Sequence, residues 1–265
     1  MGDMQNTLIV VPCFNEEERL SIEKFHEVLS DNHQLSFLFV NDGSMDGTEK
    51  LLKLAASKSK RIAVLNLEKN YGKAEAVRRG ITASTGEPFR YIGFWDADLA
   101  TPLYIIEEMI RVADNESAKL VIGSRLKRMG SRIHRKTLRH YAGRIFSAAA
   151  YCCTFEKIYD TQCGAKLFLN DACLEAVFKE RFSVSWIFDT EIIARYSEIS
   201  KCQGRNSLDG WLVEWPLSEW RDIPGSKLRI RDFVIAGVDM IKLFKKYSPI
   251  INSRRLQLRK SSGAG

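Results

Sequence analysis

The sequence has no apolar run of the ~18 residues that a membrane-crossing helix needs. Its first residues lack the basic and apolar regions of a signal peptide, and Asn6 stands where a myristoylation motif wants Ser or Thr. The expectation is a protein made and kept in the cytoplasm. The six cysteines include no CxxC pair; Cys152 and Cys153 are adjacent and the others lie scattered in apolar runs. That spacing argues against disulfide frameworks and zinc sites, and for reduced, mostly packed thiols. No GxxxxGK[ST] is present, which excludes a P-loop. From Arg125 to Arg144 there is no acidic residue at all.

What the chain does have is length and positive charge. At 265 residues and 45% hydrophobic content it can build one α/β domain with a full core, with or without a small appendage. A net charge of +7 points to anionic partners: nucleic acid, an anionic membrane surface or phosphorylated small molecules.

Strand-like runs alternate with helical spacing through the first half. Thr7 to Val11 ends at Pro12-Cys13-Phe14-Asn15-Glu16-Glu17-Glu18, after which Leu20, Ile22, Phe25, Val28 and Leu29 recur at helical intervals. Ser36 to Val40 ends at Asn41-Asp42-Gly43-Ser44-Met45-Asp46-Gly47-Thr48, and a helix follows through Leu51, Leu52, Leu54 and Ala55. Ile62 to Leu67 runs into Asn70-Tyr71-Gly72-Lys73-Ala74 and a helix to Ile81. Tyr91 to Trp95, aromatic and apolar, stops at Asp96-Ala97-Asp98. Such alternation predicts a mostly parallel sheet with its functional loops on one edge.

Each loop admits two readings. Asp96 and Asp98 can hold a divalent cation and a phosphate-bearing substrate, or they can be turn residues. Asp42 can accept hydrogen bonds from the imide of a uracil or the edge of a guanine, or it can cap the next helix. Lys73, after a glycine at a helix start, suits a phosphate. Glu17 and Glu18 read as charges dressing a helix start.

Taken together, Val11 to Glu17, Val40 to Thr48, Asn70 to Ala74 and Asp96 to Asp98 resemble, in order, the signature of the family 2 glycosyltransferases with a GT-A fold. The resemblance implies an α/β, Rossmann-like, mostly parallel sheet flanked by helices, and a nucleotide-sugar donor. Donor-binding positions on this reading are Pro12, Phe14, Asn15, Glu16, Asp42, Lys73, Asp96 and Ala97. Asp42 would meet the base, Asp96 the ribose and phosphates, and Asp98, with Asp96 secondary, a Mg²⁺ or Mn²⁺ bridging the diphosphate.

The second half speaks to the acceptor. Arg125, Lys127, Arg128, Arg132, Arg135, Lys136, Arg139 and Arg144 make the acid-free stretch, in which Leu138, Tyr141, Ile145 and Phe146 interleave with cations. Lipid headgroups or a phosphate suit it; RNA suits it less, because no recognisable RNA-binding module accompanies it. Asp160 to Phe168 reads as a loop entering a strand, Trp186 to Ile192 as a helix start, Leu212 to Pro216 as the last strand and Glu219 to Arg229 as a loop. Asp189 and Glu191 are either helix N-terminal acids or residues that reach the sugar.

Arg221 followed by Ser226 and Lys227, with Gly123-Ser124-Arg125 and Arg139, is similar to the polyprenyl-phosphate sugar transferases, and Phe188-Asp189-Thr190-Glu191 leans toward their dolichyl-phosphate glucosyl branch. The resemblance implies inverting transfer of a hexose, glucose from UDP-glucose, with Arg125, Arg139, Arg221, Ser226 and Lys227 on the acceptor phosphate. In relatives with alcohol acceptors an acid near Asp189 is the catalytic base, and a phosphate acceptor needs none; the resemblance makes Asp98 and Asp189 the expected catalytic residues, with the role of Asp189 set by the acceptor. An enzyme of the same fold acting on a sugar hydroxyl or a protein, with Asp189 as base, is the first alternative. A non-catalytic nucleotide-sugar-binding scaffold is the second.

Three segments follow: a glycosyltransferase domain over 1–229, an amphipathic helix over 230–251 and a basic tail over 252–265. Phe233, Ala236, Gly237, Met240, Ile241 and Phe244 fall on one face of the helix and Arg231, Lys242, Lys245 and Lys246 on others. That helix either docks on the domain or rests on a membrane, which makes a peripheral membrane association, with or without a membrane anchor protein, the expected setting.

Overall fold

Four successive units of strand, loop and helix fill the first half of the chain, as the alternation predicts. The computed structural model describes residues 7–134, 147, 150–154, 156–223 and 230–248. Strands Thr7–Cys13 (β1), Leu35–Asn41 (β2), Ile62–Asn66 (β3) and Tyr91–Trp95 (β4) are followed by helices Ile22–Asp31 (α1), Thr48–Lys58 (α2), Lys73–Ser84 (α3) and Ile105–Glu116 (α4). Beyond them come Leu120–Ser124 (β5), Arg132–His134 (β6), Ala165–Leu169 (β7), Ala172–Lys179 (α5), Phe188–Cys202 (α6), Leu212–Pro216 (β8), Glu219–Arg221 (β9) and Ile230–Tyr247 (α7).

Seven strands form one sheet in the order β3-β2-β1-β4-β7-β5-β8, and β6 and β9 pair separately. The first four strands are parallel, with Cys13 beside Asn41 and Val10 beside Phe94. Strand order turns back at β1, so the loops after β1, β2 and β4 open onto one crevice at the carboxyl ends of the strands. β7 runs antiparallel between β4 and β5, a non-local insertion that pairs Lys166 with Phe94 and with Ile122. Glu219 to Arg221, expected as loop, is strand β9, since Ile133 and Trp220 bury their side chains in the main core and bring the two short strands together.

The sheet is covered on both faces. On one, Phe25 of α1 stands edge-on to Phe37 and Phe39 of β2, each 4.9 Å away between ring centres. Ile22, Phe25 and Leu29 are the buried stripe of α1, at the spacing that one helix face requires. On the other face Phe168 of β7 packs against Phe178 of α5 and stacks on Tyr196 of α6. Full burial of such rings contributes about 1.5–3 kcal/mol each.

α7 docks against α6 and the loop before it through Ala236, Leu243 and Tyr247, which pack with Val184, Ile187 and Ala194. Of the apolar face read from the sequence, Ala236, Met240 and Phe244 pack on this cluster, whereas Ile241 is 57% exposed, and Leu243 and Tyr247 are buried beside them. Glu191, one of the acids thought able to reach the sugar, is a buried pin for this arrangement. Its carboxylate accepts from the Ser183 N–H at 2.7 Å, the Arg195 guanidinium at 2.9 Å and the Tyr247 hydroxyl at 2.9 Å. Burial pushes the Glu191 pKa up, but the Arg195 charge and the donors on Ser183 and Tyr247 outweigh it and hold the carboxyl below its ordinary value.

The cysteines are all free thiols, as expected, with Cys152 and Cys202 exposed and the rest buried. Burial raises the Cys13 thiol strongly and pushes Cys163 up to about 11, so neither is a nucleophile at neutral pH. In a native thiol titration Cys152 and Cys202 react at once, and the other four react after unfolding. Rapid native labelling of Cys13 or Cys163 would contradict this packing.

Candidate active site

Asp42 joins the second and third loops. Its own N–H donates to the Cys13 carbonyl at 2.8 Å, and its carboxylate accepts the Tyr71 N–H and the Gly72 N–H, both at 2.8 Å. The side chain is thus more than a turn cap: at 2% exposure it is a clamp across three strand ends. Gly43 permits the approach, with φ at +65° and the position of a Cβ only 2.4 Å from the Lys69 carbonyl carbon. The first loop is tied to the second in turn. The Met45 N–H donates to Asn15 Oδ1 at 2.9 Å, and the Glu16 N–H to the Thr48 hydroxyl at 2.8 Å.

The fourth loop carries the acids. The Asp96 N–H donates to the Gly164 carbonyl at 3.0 Å, and a Cβ on Gly164 would stand 2.0 Å from the Asp96 carboxylate, so only glycine admits this contact. Lys73, the first residue of α3, forms an ion pair with Asp96. Partial desolvation pulls the Lys73 pKa down, but the charges of Asp96, Asp189 and Asp98 outweigh it and hold the ammonium above the usual lysine range. Asp98 accepts the Ala100 N–H at 3.0 Å. Burial, then the Asp96 charge, raise its pKa above that of an ordinary aspartate, against the Ala100 N–H and the charges of Lys73 and Arg19.

A cavity of about 350 Å³ opens on these loops, lined by Pro12, Phe14, Glu16, Asp42, Lys73, Asp96, Ala97 and Asp98 among others. A second, of about 460 Å³, is lined by Lys24, Leu99, Tyr104, Glu219 and Arg221 among others. Asp98 is common to both. The backbone N–H of Arg221 donates to the Ala100 carbonyl at 2.9 Å, which ties β9 to the acid loop.

Among the described residues no three His, Cys, Asp or Glu side chains cluster as a complete metal site. The donor set nevertheless fits a hard divalent cation. Asp96 is neutralised by Lys73, whereas Asp98 is a desolvated oxygen donor whose negative charge is incompletely met. Magnesium-type ions commonly take one or two carboxylates and complete their shell with water and substrate phosphates.

The donor positions expected from the sequence converge on the first cavity, with the exception of Asn15, which ties the loops. Arg19 and Asn70 also line it and were not expected; Arg19 stands in the acidic run after β1 that reads as helix dressing. The acceptor positions are dispersed. Arg125 is gripped by Asp160, Nε at 2.6 Å and Nη2 at 2.7 Å, above the Trp220 ring. Arg221 is 64% exposed at its side chain and pairs with Glu219 at 2.7 Å. Arg139, Ser226 and Lys227 lie outside the described residues. Asp189 is buried and forms an ion pair with Lys166, a partner that sequence reasoning missed because the two lie far apart in the chain and only the fold brings them together.

The sequence profile of "Glycosyl transferase family 2" matches residues 8–176. A dolichyl-phosphate beta-glucosyltransferase of Homo sapiens is 31% identical over 247 residues, covering 83% of this chain and 68% of that protein. One from Trichomonas vaginalis is 29% identical over 254 residues, covering 88% of this chain and 71% of that protein. Among solved structures, glucosyl-3-phosphoglycerate synthase from Mycobacterium tuberculosis, in complex with Mn²⁺, UDP and glucosyl-3-phosphoglycerate, superposes with a TM-score of 0.61 at 18% identity, covering 92% of this chain and 80% of that one. At that identity the likeness is one of fold, here GT-A.

Asp42→Ala removes the acceptor for two backbone N–H groups. Loss of these charge-assisted bonds is expected to lower unfolding stability by about 2–4 kcal/mol, read by urea denaturation. A variant as stable as the wild type would show that the clamp contributes nothing.

Proposed function

The chain belongs to glycosyl transferase family 2, and we propose that it moves glucose from UDP-glucose onto the phosphate of a polyprenyl carrier. The observation that carries this reading is the position of Asp98 between two cavities, one framed by the donor loops and one reached by Arg221. A nucleotide sugar in the first would point its anomeric carbon toward the second. The names of the curated relatives support the dolichyl-phosphate acceptor and the glucosyl group, and the GT-A neighbour was solved with Mn²⁺ and UDP.

In the donor cavity the Asp42 clamp fixes the start of α3, so that its free N–H groups and the Lys73 ammonium face the diphosphate. Asp42 oxygens retain lone pairs for the imide N–H of uracil. A Mg²⁺ or Mn²⁺ on Asp98, with Asp96 secondary, would supply the positive charge that makes the diphosphate a leaving group. Lys73 adds a second positive charge beside it. The acceptor phosphate oxygen attacks the anomeric carbon from the face opposite the nucleotide and inverts it.

A phosphate monoester is already anionic, so the site needs no proton acceptor. This agrees with Asp189 being buried, paired with Lys166 and outside both cavity linings, and it disfavours a hydroxyl acceptor with Asp189 as base. Arg221 lines the second cavity with a largely exposed side chain that can turn to the acceptor; Arg125 keeps guanidinium donors beyond those held by Asp160, and Arg139, Ser226 and Lys227 complete the proposed set.

A lipid acceptor brings the protein to a membrane surface. Among the described residues no helix is long and apolar enough to cross one. The outer face of α7 exposes Val234, Val238 and Ile241 beside Lys245, with Lys242 and Lys246 at its margin paired to Asp239 and Glu191, a pattern that suits an anionic leaflet.

The test is a panel of UDP- and GDP-sugars incubated with short polyprenyl phosphate and Mn²⁺, with products read by mass. A glucosyl-lipid from UDP-glucose is expected, reduced about 100-fold or more in Asp98→Ala. Equal product from Asp98→Ala would overturn the metal assignment, and transfer confined to soluble sugars would overturn the acceptor.

A further inference from the structure

Lys166 is a lysine with 0% exposure in the middle of the central sheet. An ammonium so placed is costly unless its charge and its protons are met. Here its Nζ donates to the Cys163 carbonyl at 2.7 Å, pairs with the Asp189 carboxylate and lies 5.3 Å from the centre of the Phe94 ring. A leucine could have filled the space without any such requirement.

Its neighbours give a reason for the charge. Register places Lys166 opposite Phe94, two residues before Asp96. The Cys163 carbonyl it holds belongs to the turn whose next residue, Gly164, accepts the Asp96 N–H and lies against the Asp96 carboxylate. The carboxylate it holds, Asp189, stands in the first turn of α6 and contributes to the field that keeps Lys73 charged. One buried ammonium therefore fixes two walls behind the Lys73–Asp96 pair.

We propose that Lys166 is a positioning residue of the donor site, and that Asp189 is its fixed counter-ion, not an acceptor of a proton. Asp189 is buried and lines neither cavity, and a general base must reach the proton it takes. The inference deepens the reading given above and rests on it for the nature of the donor.

Lys166→Met alone strands a buried carboxylate, so it is paired with Lys166→Met/Asp189→Leu, which removes both charges and keeps apolar volume. Thermal melting establishes folding, and calorimetry with UDP and Mn²⁺ reads the donor site without any acceptor. The double variant is expected to melt cooperatively and to bind UDP about 10- to 100-fold more weakly. In turnover its donor KM rises while its acceptor KM and the shape of its pH–rate profile match wild type. A folded double variant that binds UDP as tightly as wild type would overturn the positioning role. Loss of the acidic limb of the profile, with kcat down about 10²- to 10⁴-fold, would make Asp189 a base after all. A wild type that binds no UDP would overturn the donor reading on which the inference rests.

Discussion

Three carboxylates, Asp96, Asp98 and Asp189, share one electrostatic neighbourhood behind the sheet edge, and the fold tolerates them because two lysines are set among them. Lys73 meets Asp96 at the mouth of the cavity, and Lys166 meets Asp189 beneath it. Asp98 is left with the Ala100 N–H and the more distant pull of Lys73 and Arg19. Burial and the charge of Asp96 make ionisation of Asp98 harder than that of an ordinary aspartate. The residual negative charge is therefore concentrated on the side chain that faces both cavities.

Much of the surrounding architecture serves this balance. β7, inserted antiparallel beside β4, delivers Lys166 from one strand and Gly164 from the turn before it. Asp42 draws the third loop onto the second, and so sets the angle at which α3 presents Lys73. The loops are held by side chain to backbone bonds that rigidify the site before any ligand arrives, which is the condition for using fixed charges on a developing leaving group. Glu191 and Asp239 perform a parallel task away from the cavity. Asp239 accepts the N–H groups of Ser185 and Trp186, and with Glu191 it fastens α7 to the segment that leads into Asp189.

The first four strands, the loops they end in and the residues that line the first cavity were legible in the sequence because they depend on local pattern: an apolar run, a turn with glycine and acid, a helical stripe. Where pairing is non-local the pattern was silent. Nothing in Ala165 to Leu169 says that the strand runs antiparallel or that its lysine points inward to an aspartate far along the chain. Arg125 read as a free phosphate ligand because its partner, Asp160, is distant in sequence. Ile241 was grouped with Ala236, Met240 and Phe244 on one apolar face of α7, but that helix is apolar on two sides, and periodicity cannot say which side the domain covers. Glu191 carries no sign of burial in its own neighbourhood; its partners include Tyr247 on the last turn of another helix.

On the proposed function Asp98 offers half of a cation site, which a diphosphate completes. Electron paramagnetic resonance of Mn²⁺ tests it without relying on turnover. With protein alone the free Mn²⁺ signal is expected to persist; with UDP present it is expected to broaden and fall in wild type, and to remain as in a protein-free UDP control in Asp98→Asn. Tight Mn²⁺ binding without nucleotide, or a UDP response unchanged by Asp98→Asn, would contradict the account.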